Sequence, residues 1–441
     1  MSATLFACAG MQKQRGHDAL ARNIKERLGA DTHWQDGPPQ EVDIAEWVDA
    51  ALAGGLTKDR AIEIALVNNR SLQATYEELG ISQAELVQAG LLKNPTLGLH
   101  FGFPINAGPE LQASLVQDFL DLFMLPMRKK IAQEQFAKEV LRVSHEAMLV
   151  ASCASQAYVA LQAAAQLVEM QSTIVETTDA AAELAQHQFQ AGNINALALS
   201  EQTAFSEQAR IDLLREQTEL LAQRERLNVI LGLWGPQTSW ALEDKLPALP
   251  KNDPPLEHLE ALSMKQRFDI AAARSEVSML GRAVTMAKDF RLFGTVAIGA
   301  DAHQDPDGPR VIGPSLSLEL PIFDQRQAMI GRLEAQERQA ERRLAALSVQ
   351  TRSDVRLARA QLLAARETAQ RYARVLQPLR GKIVELSQLY YNGMFISPYQ
   401  LLMAKQAQID SSRAAVERLR DYWTARSELE LAIGGRLEAM R

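Results

Sequence analysis

The chain has 441 residues, with 47 Lys and Arg against 54 Asp and Glu, for a formal net charge of −7. That balance lacks the basic footprint of a nucleic-acid-binding protein, and no run of eighteen apolar residues offers a transmembrane helix. A membrane β-barrel stays open, because its strands alternate and barely register in hydropathy.

The N-terminal arm covers residues 1–55. Cys8 follows Leu5-Phe6-Ala7. A short apolar piece ending in a small residue and then Cys is how a bacterial lipoprotein signal ends. The charged region and most of the apolar region of such a signal are missing here, so the chain is expected to start late or Cys8 to be incidental. Cys153 lies in an Ala-rich tract and reads as a small buried residue. Gly37-Pro38-Pro39 and Gly54-Gly55 mark the arm as extended.

Thr57 is a candidate N-cap for a helix with Ala61, Ile62, Ala65 and Leu66 on its apolar face. A second helix from about Ser71 to Leu92 stops at Asn94-Pro95. The period then changes from helical to two. Leu97, Leu99, Phe101 and Phe103 share one face of a strand, and Thr96, Gly98, His100 and Gly102 the other. His100 has no second His or Cys at ligand spacing, so it reads as lumen-facing or hydrogen-bonded and no metal is expected. Leu111, Ala113 and Leu115 alternate in a second strand. Met124 and Met127 follow, where gap-filling packing is the expected role rather than copper binding. A long helix from about 131 to 190 breaks at Gly192-Asn193, and a return helix ends at Gly232.

After a Pro-rich connection the plan repeats. Arg267-Phe268-Asp269-Ile270 echoes Asn69-Arg70-Ser71-Leu72. Strand-like alternation returns at Thr295–Ala300 and at Leu316, Leu318 and Leu320. Pro321-Ile322-Phe323-Asp324 then opens the longest stretch. From Ala340 its seam runs Leu344, Leu347, Thr351, Val355, Ala358, Leu362, Ala365, Ala369, Tyr372, Leu376, Leu379. Steps of four and three after Thr351 give coiled-coil spacing, with a stutter at Leu347–Thr351–Val355. Phe189-Gln190-Ala191-Gly192 and Tyr390-Tyr391-Asn392-Gly393 read as one aromatic-x-x-Gly turn used twice. The halves are therefore 56–254 and 255–441, each a helix, two strands, a long helix, a turn and a return helix. The fold class is mainly α with a small β part. Four strands cannot close a barrel by themselves, so subunits sharing a ring are expected.

Leu56-Thr57 with Ala65-Leu66 and Asn68-Asn69, then Leu92-Lys93-Asn94-Pro95, Pro321-Ile322-Phe323-Asp324 and Tyr390-x-x-Gly393, in that order and duplicated, resemble the TolC-type outer-membrane efflux proteins of Gram-negative bacteria. The resemblance implies a homotrimer with a transmembrane β-barrel of four strands per subunit and a trimeric α-barrel of long hairpins crossing the periplasm. It implies a passive outer-membrane exit duct of a tripartite efflux or type I secretion system, with a periplasmic adaptor and an inner-membrane pump as partners, and no cofactor. Lipidated members strengthen the reading of Cys8 as a lipid anchor. Leu97, Leu99, Phe101, Leu316, Leu318 and Leu320 are expected against outer-membrane lipid. Phe189, Gly192, Asn193, Tyr390 and Gly393 are expected at the tips that meet the adaptor, the two glycines in left-handed conformation. Some family members gate the mouth with acidic residues, but Tyr399 and Leu402 occupy those positions here, so an aromatic or apolar constriction is expected, or simple helix packing. The rival reading is a cytoplasmic coiled-coil scaffold, which leaves the duplicated strands unexplained. No phosphate loop, metal box or catalytic triad order points to an enzyme.

Overall fold

A computed structural model describes residues 14–30, 41–103, 110–243, 245–252, 256–304 and 308–437. Cys8 lies outside them. In chain order the elements are α1 Gln14–Leu28, α2 Glu41–Leu52, α3 Lys58–Asn68, α4 Arg70–Ala89, β1 Thr96–Gly102, β2 Glu110–Asp118, α5 Leu120–Gln190 and α6 Ala196–Leu231. There follow α7 Leu259–Gln266, α8 Phe268–Asp289, β3 Val296–Gln304, β4 Arg310–Leu318, α9 Gln327–Arg371, a π turn Tyr372–Leu376, α10 Gln377–Asn392 and α11 Pro398–Ile433. They form two compact units, each drawing segments from both halves of the sequence.

The first unit takes Tyr76–Val143, Phe268–Val349 and the N-terminal segment to Ala19. It holds one antiparallel sheet in the order β1-β2-β3-β4. Val284 and Ala287 of α8 pack on Leu333 of α9 in a small apolar cluster.

The second unit takes Leu20–Thr75, Ser144–Arg267 and Gln350–Arg441. One of its apolar clusters joins Val355, Ala358 and Leu362 to Tyr422, Leu429 and Ile433, with Leu259 added from α7. Tyr158 is fully buried, and its hydroxyl donates to the Leu56 carbonyl at 2.6 Å. Trp240 Nε1 donates to Asn228 Oδ1 at 3.0 Å. Buried polar groups of this kind cost stability unless paired, and these are.

The return helices end alike and are capped by different chemistry. Gly232 and Gly434 are both left-handed, at φ 69° and 84°. At the first, Asn68 Nδ2 donates to the carbonyls of Leu231 and Gly232, and Asn69 Nδ2 to that of Ile230. At the second, Arg267, the counterpart of Asn69 in the repeat, donates to the Ala432 carbonyl. Either way the orphan carbonyls of a helix C-terminus find donors.

Several details depart from the sequence reading. The arm expected to be extended holds α1 and α2, and Gly54-Gly55 follow the second of these helices; Gly37-Pro38-Pro39 lie outside the described residues. Cys153, expected to be buried, is exposed. The helix expected from about 131 already begins at Leu120 and carries Pro126 in its second turn. One window in that helix reaches a mean hydropathy of 1.3, apolar enough for a bilayer, but 67 % of it is buried in protein. The long helix after Pro321 is interrupted at Tyr372–Leu376 and not at the Thr351 stutter. Pro378 explains the place, for it has no N–H to give the Arg374 carbonyl and its ring crowds that carbonyl. The Gln377 N–H reaches back five residues to Tyr372 instead. Such a turn inserts one residue into the helix, so the seam slips behind it. Val355, Leu362 and Ala369 are buried, whereas Leu379 is exposed.

Candidate functional site

The sheet sorts most of its side chains by face, with Val116 and Val311 the apolar exceptions on the polar side. Directly paired residues share a face. Leu97 pairs with Leu115, Leu99 with Ala113 and Phe101 with Leu111. Leu115 pairs onward with Ala300 and Ala113 with Ala302. Ile298 pairs with Leu316, Ala302 with Ile312 and Val296 with Leu318. One face is therefore apolar across all four strands, with Gln117, Gln304 and Arg310 only at its ends. Leu97 is 65 % exposed, Phe101 60 % and Leu316 72 %. Leu320 is exposed too but lies beyond β4, so the period of two stops at Leu318. The other face carries His100, Gln112, Ser114, Asp301, His303, Ser315 and Ser317. Gly98, Gly102, Gly299 and Gly313 all fall on it as well.

Where β2 hands over to α5, a buried carboxylate locks the junction. Asp121 meets Arg128 Nη1 at 2.6 Å. Arg128 also donates to the carbonyls of Ala89 and Leu91, closing the end of α4. The Lys93 N–H reaches Asp121 Oδ2, and Lys93 Nζ pairs with Asp118 at 3.2 Å. Burial works to raise the Asp121 carboxyl, but the Arg128 and Lys93 contacts outweigh it and hold it below the ordinary range. The sequence reading passed over this clasp, although Lys93, Asp118, Asp121 and Arg128 were in plain view as charges around a strand–helix turn.

The tips form a second surface. Hairpin one turns at Gly192, φ 76°, with the Gly192 N–H on the Phe189 carbonyl and the Asn193 N–H on that of Gln188. Hairpin two makes the same pair of bonds one residue later than the aromatic-x-x-Gly alignment predicts. There the Met394 N–H meets Tyr391 and the Phe395 N–H meets Tyr390. Both are Schellman motifs. The left-handed residue of hairpin two is thus Met394, φ 63°, and Gly393 sits at φ −80°. The true counterparts are Phe189 with Tyr391, Ala191 with Gly393 and Gly192 with Met394. Gly393 is needed for space, since a Cβ there would stand 2.7 Å from the Phe395 ring. That ring folds against Tyr390, centroids 6.0 Å apart.

Both return helices start on a side-chain cap. Asn195 accepts from the Ala198 N–H, and Ser397 forms a reciprocal box with Gln400. Around the second tip Met394 is 93 % exposed and Phe395 79 %, with Tyr390, Tyr399 and Met403 also exposed. Tyr399 projects into solvent, and Leu402 beside it is half-buried. The sequence reading missed Met394 and Phe395; their signal was the apolar run Met394-Phe395-Ile396 directly before the Ser397-Pro398 helix start.

The described residues thus combine long helices with a four-stranded sheet that has one exposed apolar face. Residues 61–233 match the profile of the outer membrane efflux protein family. Among solved structures, a membrane protein from Pseudomonas aeruginosa superposes with TM-score 0.74 at 19 % identity, covering 86 % of this chain and 92 % of that one. VceC, an outer membrane protein of Vibrio cholerae, gives 0.70 at 17 %, over 86 % and 96 %. The CmeC outer membrane channel of Campylobacter jejuni gives 0.69 at 16 %, over 93 % and 91 %. At such identity these are likenesses of fold. No curated protein matches the sequence. The family match over 61–233 and these likenesses of fold both point to the outer membrane efflux proteins.

Proposed function

We propose that three copies of the chain form a passive exit duct in the outer membrane, fed through a periplasmic adaptor by an inner-membrane pump. The observation that supports it best is the apolar, exposed face running through Leu97, Leu99, Phe101, Leu316 and Leu318. In water such a patch would drive association; in a bilayer it is the lipid face of a barrel. β1 and β4 are the outer strands of the sheet, and open edges invite pairing with another chain. Three copies pairing β4 to β1 would exceed the smallest closed barrels of about eight strands. The polar face then lines the lumen, and the glycines on it leave that lumen uncrowded.

In this reading Cys8 is the lipid attachment point. Phe189, Gly192, Asn193, Tyr390 and Gly393, now joined by Met394 and Phe395, meet the adaptor. Tyr399, with Leu402 behind it, narrows the mouth. The duct needs no cofactor and catalyses nothing; energy comes from the pump.

The test is facing. Leu99→Arg should cost about 2–4 kcal/mol near the bilayer midplane and reduce trimer recovered from outer membranes. Ser317→Arg, on the lumen side, should assemble. The opposite pattern would reverse the facing and remove the barrel reading.

A further inference from the structure

The four strands carry one Lys or Arg and three carboxylates, and the sheet separates them by face. Glu110, Asp118 and Asp301 all stand on the polar face. Arg310 is at the end of the apolar face, donating to Gln304 Oε1 at 2.9 Å. Asp118 is balanced by Lys93 at 3.2 Å. Among the described residues, Glu110 has His303 beside it at 3.5 Å. Asp301 stands mid-sheet between Ser114 of β2 and Gly313 of β4, both too small to cover it. We infer that the barrel exit is cation-selective, with Asp301 its principal determinant and Glu110 the second.

The physics is field focusing. A channel lined by one sign of charge between low-dielectric walls concentrates counter-ions and repels co-ions. Rings of Asp or Glu select cations in this way. Closure by symmetry repeats Asp301 around the lumen at one height. The residues that would relieve the field are missing from the right face: the strands place no guanidinium or ammonium there. The four glycines on that face keep side chains from closing over the carboxylate. The cargo class that passes this exit most easily is then cationic or neutral, with anions disfavoured.

The inference rests on the lumen assignment proposed above, and one experiment separates the two. Purified oligomer in planar bilayers, under a KCl gradient, gives the potassium-to-chloride permeability ratio from the reversal potential. The parent should favour potassium. Asp301→Asn, close in size and shape, should lower that preference, Glu110→Gln should lower it less, and Asp301→Lys should turn it toward chloride. Arg310→Gln, on the other face, should leave it unchanged. Oligomer recovery on a native gel checks each variant. A conducting parent that prefers chloride, or one whose selectivity ignores Asp301→Asn and Asp301→Lys, overturns the inference and leaves the duct standing. An Arg310→Gln effect larger than that of Asp301→Asn would show the faces reversed. Properly assembled oligomer that never conducts overturns both readings.

Discussion

Helices α5 and α6 turn back through a Schellman cap at Gly192, and α10 and α11 through the same hydrogen bonds at Met394. The first hairpin uses the residue that enters the left-handed region freely. The second puts Met there, which costs about 1–2 kcal/mol, and leaves it 93 % exposed. Behind the tips the contrast continues. In hairpin one Asp179 accepts from the Ser206 hydroxyl at 2.5 Å and from Arg210 at 3.1 Å. At the matching positions hairpin two has Gly381 and Gln408, 3.7 Å apart from where a Cβ would stand. Hairpin one has an unbroken α5; hairpin two has the π turn before Pro378. One hairpin has a side-chain clasp and a glycine at its left-handed position; the other is interrupted by a π turn and holds a methionine at positive φ where it is most exposed. Strain kept at an exposed turn points to contact with something else, and in the proposed duct the second tip is the one to test for adaptor contact.

The largest effect should come from the shared base of the hairpins. Gly232→Val places a Cβ against the Asn68 carbonyl at 2.2 Å as well as straining φ, and should cost about 3 kcal/mol in chemical unfolding. Gly434→Val meets Arg267, its backbone at 3.1 Å and its Cγ at 3.2 Å, and should cost about half as much. Equal losses would mean that the caps are alike in strength as well as in form.

Pro378→Ala attacks the interruption. The Arg374 carbonyl should regain its partner, the π turn should vanish, and the variant should gain about 1–3 kcal/mol. Hydrogen exchange across Gln377–Leu379 would slow. Persistence of the turn would clear the proline as its cause.

Met394→Gly separates strain from contact. It should stabilise the fold by about 1 kcal/mol while lowering export in cells. A rise in stability with full export would leave the second tip no special role.

The smallest effect is one of pH. Ser206 first, then Arg210, hold the Asp179 carboxyl below its ordinary value. A depressed carboxylate adds stability above its unfolded pKa and loses it as pH falls through the folded value. Hairpin one should therefore loosen only in acid, read by cross-linking between cysteines placed on α5 and α6. Asp179→Asn should loosen already at neutral pH and lose the acid dependence. An acid transition retained in that variant would assign it to other groups.

Much of this was legible from local pattern. Strict alternation from Leu97 to Phe101 and from Leu316 to Leu318 requires two-faced strands, since neighbouring side chains point opposite ways. The seam through Val355, Ala358 and Leu362 requires one buried helix stripe. Turn chemistry at Gly192, Gly232 and Gly434 follows from glycine's freedom at positive φ. These are interactions within a few residues, and sequence order contains them.

The tertiary structure alone decided the rest. Matching aromatic-x-x-Gly strings suggested that Gly192 and Gly393 correspond, but hydrogen bonds to Tyr390 and Tyr391 pair Gly192 with Met394. The seam predicted Leu379 buried, and one residue inserted at Tyr372–Leu376 turned it outward. The clasp of Lys93, Asp121 and Arg128, and the placing of Asp301 and Arg310 on opposite faces, need the register between strands and the packing of distant segments. Register is set by which strand lies beside which, a long-range fact that a local period cannot hold.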